Sequence, residues 1–412
     1  MAVPAGHTVR GRWRGEGEVI EVTVAGTHVA RVGVLPAQKA SPEDRSTVLS
    51  PPLLDIQVNG AKGISLQSDS LSTAALLEID AYMQRWGVSA WIPTLITGNP
   101  DTMEYACSII GRAMGEPGLR KSIPGIHLEG PHISPEDGPR GAHPREWVCP
   151  PDVNLLKRFY RAAQGKLRYV TLSPEWPEAL GYIRAAREMG IVVSLGHHNA
   201  DAPTIRAAVD AGATLSTHLG NGSAPQMPRH HNPLWPQLAE DRLFASMIAD
   251  AHHLPPETLK TFVRAKTPAR TILVSDCVDL TGCAPGEYSL FGAAVELLPS
   301  GKICLKGTEL LAGSGLMLLS GVVNAAALTD CAMTQAIASA TSIPARVLDV
   351  RHSTARPREG GVAHFIAFTP NPGVNGMDNV RMKAVYIRGK HASTADMAPA
   401  SAQAEAPAET KA

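Results

Sequence analysis

Two hydrophobic periods divide the chain. Over residues 8–35 apolar and polar positions alternate, as in Val19-Ile20-Glu21-Val22-Thr23-Val24 and Val29-Ala30-Arg31-Val32-Gly33-Val34. A period of two predicts a meander of antiparallel strands with one face buried. Residues 364–368 and 380–387 repeat this pattern, so the two ends are expected to pair into a small β-sandwich domain. Between them come short continuous apolar runs: LLDIQV (53–58), WIPTLI (91–96), IPGIHL (123–128), RYVTL (168–172), IVVSLG (191–196), TLST (214–217), ASMIA (245–249) and TILVS (271–275). Unbroken hydrophobicity suits strands covered on both faces, as in a parallel sheet. Intervening stretches, such as 71–86 and 203–211, carry helix-period apolar positions, and Ser72 and Asp201 stand where helices start. Eight such runs predict an α/β fold, a (β/α)8 barrel of the TIM type. A doubly wound open sheet is the alternative, but no GxGxxG turn follows the first run, so a dinucleotide site is poorly supported. Residues 286–315 read as a hairpin-rich insertion, with helices after it over 316–328 and 334–340.

The expected division is a β domain from 1–50 and 351–390, a barrel from 51–350, and a tail from 391–412. The tail is Ala, Pro, Glu, Ser and Thr with almost no large apolar side chain, which predicts disorder.

Composition narrows the function classes. The 412 residues carry 38 Lys plus Arg and 38 Asp plus Glu, a formal charge of zero. That balance gives no polyanion-binding surface, and no nucleic-acid partner is expected. Six cysteines without a CxxC pair read as reduced thiols. The N-terminus has no apolar signal-like segment, and no run reaches the roughly 18 apolar residues of a membrane span. A soluble, cytoplasmic protein without a membrane partner is expected.

The chemistry-bearing residues sit where the apolar runs end. The third run leads to Glu129 before Gly130-Pro131, and a Gly, Pro and His-rich loop follows to His143. The fifth ends in His197-His198, the sixth in His218, the seventh in Asp250 and His253, and the eighth in Asp276. In a barrel these exits meet on one rim. Glu129, His197 and His218 make a two-nitrogen, one-oxygen set suited to Zn2+ or another divalent ion, with positions left open for water and substrate. Taken singly, each histidine is better read as a hydrogen-bonded barrel or loop residue; three ligand-type side chains at three strand exits favour the metal set, and either of His197 and His198 could be the ligand. The one directly after Gly196 is preferred because it ends the strand. Asp276 at the last exit suits a base that takes a proton from water and passes it to a leaving amine, or a helix N-cap. Asp250 suits a carboxylate that orients a histidine, or a cap.

The ordered series HLEGP, GAHP, LSPE (172–175), GHHNA, THLGN, IADAHH, LVSDC and LAGS (311–314) resembles the N-acetylglucosamine-6-phosphate deacetylases of the amidohydrolase superfamily, from residue 53 to about 349. The resemblance implies Glu129, His197 and His218 as metal ligands, Asp276 as acid/base and His143 as the group that stabilises the oxyanion. It implies Asn221, the backbone at Gly222, and His253 as contacts to a small amino sugar phosphate. Arg229 stands where the family has a phosphate-contacting arginine that can come from a neighbouring subunit, which implies a homodimer. Two departures stand out. Gln57-Val58-Asn59 replaces the His-x-His of many amidohydrolases, which implies one divalent ion, with Zn2+ expected and Fe2+, Co2+ or Mn2+ as alternatives. The loop His218-Leu219-Gly220-Asn221-Gly222-Ser223 lacks the family's aromatic residue, which bears on the substrate more than on the reaction. The implied activity is hydrolysis of N-acetylglucosamine 6-phosphate to glucosamine 6-phosphate and acetate. The alternatives are an unphosphorylated or different N-acetyl sugar or a cyclic amide, and a degenerate barrel acting as a scaffold.

Overall fold

The computed structural model describes residues 6–290, 292–371 and 376–392. All eight apolar runs form parallel strands of one sheet, in the order of the chain: Leu53–Val58, Val88–Ile96, Ile126–Glu129, Leu167–Leu172, Val192–Leu195, Leu215–Ser216, Phe244–Ile248 and Thr271–Val274. The sheet closes on itself just past the first and last strands. There the Asp276 N–H donates to the Gln57 carbonyl at 3.1 Å, and the Asn59 N–H to the Cys277 carbonyl at 2.8 Å. This is a TIM-type barrel wrapped by helices such as Thr73–Arg85 and Ala202–Ala211, whose Ser72 and Asp201 caps accept from backbone N–H groups as their positions predict. The third strand starts at Ile126 rather than Ile123, because Pro124 has no N–H to give a ladder.

The barrel interior carries a hydrogen-bonded polar layer directly below the rim. Thr94 Oγ1 lies 3.1 Å from His127 Nδ1, and His127 Nε2 lies 2.8 Å from Thr171 Oγ1. Thr217 Oγ1 then links Thr171 (2.7 Å) to Ser194 (2.6 Å). The His127 ring stacks on Tyr169 at 3.6 Å, and burial, against the pull of Glu129, lowers its pKa to about 3. The layer is neutral and satisfied, as a buried polar layer must be.

Strands from both ends build a second, seven-stranded sheet. Its order is Lys390–Ala392, Val380–Ile387, Phe365–Pro370, Val48–Ser50, His7–Trp13, Val19–Ala25 and His28–Val34. His391 and Ala392, the first two residues of the expected tail, pair with Tyr386 and Val385; residues 393–412 lie outside the described residues. Alternation sorts the side chains of this sheet. Val22, Phe365 and Tyr386 share one apolar cluster, while Ile366, Phe368 and Val385 belong to the main barrel core. Residues 286–314 form a four-stranded antiparallel sheet of their own, after the last barrel strand. Among the described residues no helix is long and apolar enough to cross a membrane.

The fully buried Phe368 couples the end-built sheet to the barrel. Phe368→Ala is expected to lower unfolding free energy by about 3–5 kcal/mol in urea titration; a loss under about 1 kcal/mol would mean that the two units do not share a core.

Candidate active site at the barrel mouth

Glu129 is the last residue of the third strand, and the turn beyond it depends on Gly130. With φ at 94°, a Cβ at Gly130 would lie 2.2 Å from Thr97 Oγ1, so no side chain fits there. Three other candidate site residues lie two positions past the ends of their strands, in left-handed backbone: His197 (φ 54°), His218 (φ 28°) and Asp276 (φ 52°). Such a conformation costs a non-glycine residue of order 1–3 kcal/mol and persists only where the surroundings impose it. Here it turns each side chain inward over the barrel axis.

The result is a tight triangle. His218 Nε2 lies 2.8 Å from Glu129 Oε1, His197 Nε2 lies 3.2 Å from the same oxygen, and the two nitrogens are 3.1 Å apart. His197 Nδ1 lies 2.9 Å from the Pro139 carbonyl. A carbonyl only accepts, so this nitrogen carries the proton, and in the neutral form of the ring the lone pair of Nε2 faces a carboxylate oxygen. Two lone pairs facing each other at 3.2 Å repel, and a cation among the three atoms reverses the sign. The donor set, one carboxylate and two imidazoles, fits a divalent metal ion. A ligand-type nitrogen of His143 also falls near the cluster, within 4.8 Å of ligand atoms of Glu129 and His197.

His143 differs from the other two histidines. The Thr97 N–H (3.3 Å) donates to its Nδ1, and the Thr97 hydroxyl lies 2.8 Å from it. Nδ1 is thereby an acceptor, and the ring's proton resides on Nε2. Burial, then the neighbouring His197, holds His143 well below the usual imidazole range. It is a neutral ring with one N–H to give.

Both carboxylates of the site are tethered by amides. Gln57 Nε2 donates to Glu129 Oε2 at 3.0 Å, and Asn59 Nδ2 donates to Asp276 Oδ1 at 2.8 Å. Burial would raise Glu129, but the hydrogen bonds and charges of His197 and His218 hold it well below the usual carboxylate range. Asp276 is pushed up to about 6, first by burial and then by the charge of Glu129.

These residues share a cavity of about 500 Å³ whose wall includes Glu129, His143, His197, His218, Asn221, Gly222, His253 and Asp276. Arg229 is not brought there. It is exposed, and its carbonyl accepts from Trp235 Nε1 at 3.1 Å. Of the adjacent histidines, His197 faces the cavity, while buried His198 accepts from the Ala200 N–H. Sequence reasoning missed the tethering roles of Gln57 and Asn59 and the Pro139 carbonyl. It also missed the insertion residues Leu305, Glu309 and Leu310, which complete the mouth. The amides were visible in Gln57-Val58-Asn59; the carbonyl leaves no side-chain signature.

Over residues 48–392 the sequence matches the amidohydrolase family. It is 32% identical to the N-acetylglucosamine-6-phosphate deacetylase of Homo sapiens over 364 residues, covering 85% of each chain. It is 29% identical to the N-acetylgalactosamine-6-phosphate deacetylase of Escherichia coli O157:H7 over 351 residues, covering 85% of this chain and 89% of that one. Among solved structures, a mutant N-acetyl-D-glucosamine-6-phosphate deacetylase from Mycobacterium smegmatis, in complex with N-acetyl-D-glucosamine-6-phosphate, superposes with a TM-score of 0.76. Its identity is 26%, and the match covers 94% of this chain and 99% of that one.

Gly222 packs against the back of the cluster. A Cβ there, at φ 57°, would lie 2.7 Å from His197 Nδ1. Gly222→Ala is expected to break the His197–Pro139 bond and weaken metal binding about 10–100-fold, read by chelator competition; unchanged affinity would mean that the loop has room to shift.

Proposed function

Because the chain belongs to the amidohydrolase family, in its N-acetylglucosamine-6-phosphate deacetylase branch, we propose that it is a metal-dependent deacetylase of an N-acetyl amino sugar 6-phosphate. N-acetylglucosamine 6-phosphate would give glucosamine 6-phosphate and acetate. The observation that carries this reading is the convergence of Glu129, His197, His218 and Asp276 on one cavity. Relatives named as deacetylases of N-acetylglucosamine 6-phosphate and N-acetylgalactosamine 6-phosphate align over 85% of the chain, which supports it.

Glu129, His197 and His218 are the residues assigned to hold one divalent ion, with Zn2+ expected from two imidazoles and a carboxylate. An ion bound there supplies Lewis acidity, both to activate water and to polarise the acetamide carbonyl. Gln57 and Asn59 keep their amides for the carboxylates they tether, which leaves one ion per chain. Asp276 takes the proton from water as the C–O bond forms and returns it to the sugar nitrogen as the C–N bond breaks. Its raised pKa suits both halves of that shuttle. His143 gives its Nε2–H to the oxygen that gains charge, and its neutral state lets it donate without competing for the cation. Asn221, the Gly222 backbone and His253 are assigned to the sugar phosphate. Arg229, exposed and off its own cavity, is assigned to the cavity of a partner in a homodimer. We assign residues 51–350 to the barrel domain, 1–50 and 351–390 to the β domain, and the protein to the cytoplasm.

Asp276→Asn is expected to lower kcat about 10²–10⁴-fold while metal content stays at one equivalent; near-native acetate release would remove Asp276 from the chemistry. Dialysis against a chelator is expected to abolish acetate release, and one equivalent of Zn2+ to restore it. Two equivalents per chain in the purified protein would refute the single-ion assignment.

A further inference from the structure

Leu310 is 63% exposed, more than any other large apolar side chain among the described residues, and it stands on the wall of the catalytic cavity. With Leu305, Leu311, Val278 and Ile96 it makes an apolar stretch of that wall. Acid–base chemistry on an acetamide has no use for leucines reaching out to solvent. An apolar surface left open beside a reacting centre is suited to an apolar part of the substrate.

The insertion holds this stretch in place. The Ser314 N–H donates to the Asp276 carbonyl at 3.1 Å, and the Val278 N–H to the Ser314 carbonyl at 3.2 Å. The insertion's last strand, Leu311–Ser314, is thereby pinned to the segment that carries the base. The Leu305 N–H donates to the Leu310 carbonyl at 2.9 Å and closes the hairpin. Behind it, Val278 and Leu305 pack in an apolar cluster with Val295 and Ile303. Glu309 belongs to the same hairpin, but its side chain is 91% exposed and its carboxylate pairs with Lys302. The charge is thus held in solvent and leaves the leucines to the cavity.

Position around the rim decides which part of a substrate meets this wall. Glu129, His197 and His218 stand at the third, fifth and sixth exits, and the loop after the third carries His143. The groups assigned to the sugar phosphate follow the sixth and seventh strands, and Asp276 follows the eighth. An acyl carbon placed among them has its oxygen towards His143 and its nitrogen towards Asp276, with the sugar beyond. Its third substituent, the acyl chain, is left the side of the first and second strands. There Ile96 ends the second strand and the leucines of the insertion overhang.

Resting on the deacetylase reading, we infer that this wall is an acyl subsite open at its outer end, and that the protein removes straight-chain acyl groups longer than acetyl, such as butanoyl, from amino sugar 6-phosphates. The step is a hydrolysis. The water oxygen bonds to the acyl carbon, the C–N bond breaks, and Asp276 passes the water's proton to the nitrogen. The products are the free amine and a straight-chain carboxylate, with nothing oxidised or reduced. The methyl of an acetyl group reaches only the inner part of the wall. Added methylenes lie along Leu305 and Leu310 and leave water, each worth about two- to fourfold where it is buried.

Release of glucosamine 6-phosphate from its N-acetyl and N-butanoyl derivatives by the Zn2+-loaded protein tests this. The kcat/KM for the butanoyl compound is expected to fall no more than about threefold below that for the acetyl compound; a larger drop overturns the inference. Leu310→Ser, at an exposed position, is expected to lower the butanoyl-to-acetyl ratio about 3–10-fold, whereas Leu310→Met, which keeps the apolar length, retains it. A Leu310→Ser variant that slows both compounds equally, or leaves the ratio untouched, also overturns it. Calorimetric binding of the two compounds to the Zn2+-loaded Asp276→Asn variant reads the same preference without turnover. Absence of amine release from either compound would count against the deacetylase reading, and the binding ratio would still decide whether the leucines hold the chain.

Discussion

The hydrogen bond from His197 to the Pro139 carbonyl is the interaction on which the mouth of the barrel depends. It fixes which imidazole nitrogen is bare and points that nitrogen at Glu129. Without it, His197 could rotate or change tautomer and satisfy Glu129 as an ordinary donor, and the cluster would be a buried salt bridge with no appetite for a cation. The bond reaches across 58 residues, from the loop after the third strand to the end of the fifth. Loop placement is thus part of the ligand geometry. Gly141 and Gly222 flank the same ring, and any side chain at Gly222 would strike it.

Around that bond the histidines are set apart by their partners. Thr97 occupies Nδ1 of His143 as a donor, and burial holds that ring well below the usual imidazole range, whereas Nδ1 of His253 faces the Asp250 carboxylate, which favours its protonated form. The same side chain meets a backbone N–H at Nδ1 in one place and a carboxylate in the other. Gln57 and Asn59 make the corresponding distinction for the carboxylates: each removes one lone pair from circulation and leaves the other oxygen available.

Much of this was legible in advance. The eight strands were visible because parallel barrel strands are apolar throughout, and the strand exits because chemistry-bearing residues interrupt those runs. Glu129, His197, His218 and Asp276 were identifiable as a group only because a barrel brings exits together. What stayed hidden depends on tautomer and loop path. Nothing in Pro139 marks its carbonyl as a hydrogen-bond partner, and nothing in Leu305 or Leu310 marks them as part of the mouth before the insertion sheet is folded back over it. Arg229 shows the converse: a motif position identifiable from sequence that lies off the cavity of its own chain.

The sheet built from both ends carries a consequence for how the chain matures. Val48–Ser50 is flanked by His7–Trp13 on one side and by Phe365–Pro370 on the other. During synthesis the first neighbour is present almost at once, whereas the second emerges more than 300 residues later, after the ribosome has delivered the entire barrel. Until then the nascent chain exposes an open β edge, available to the edges of other nascent chains.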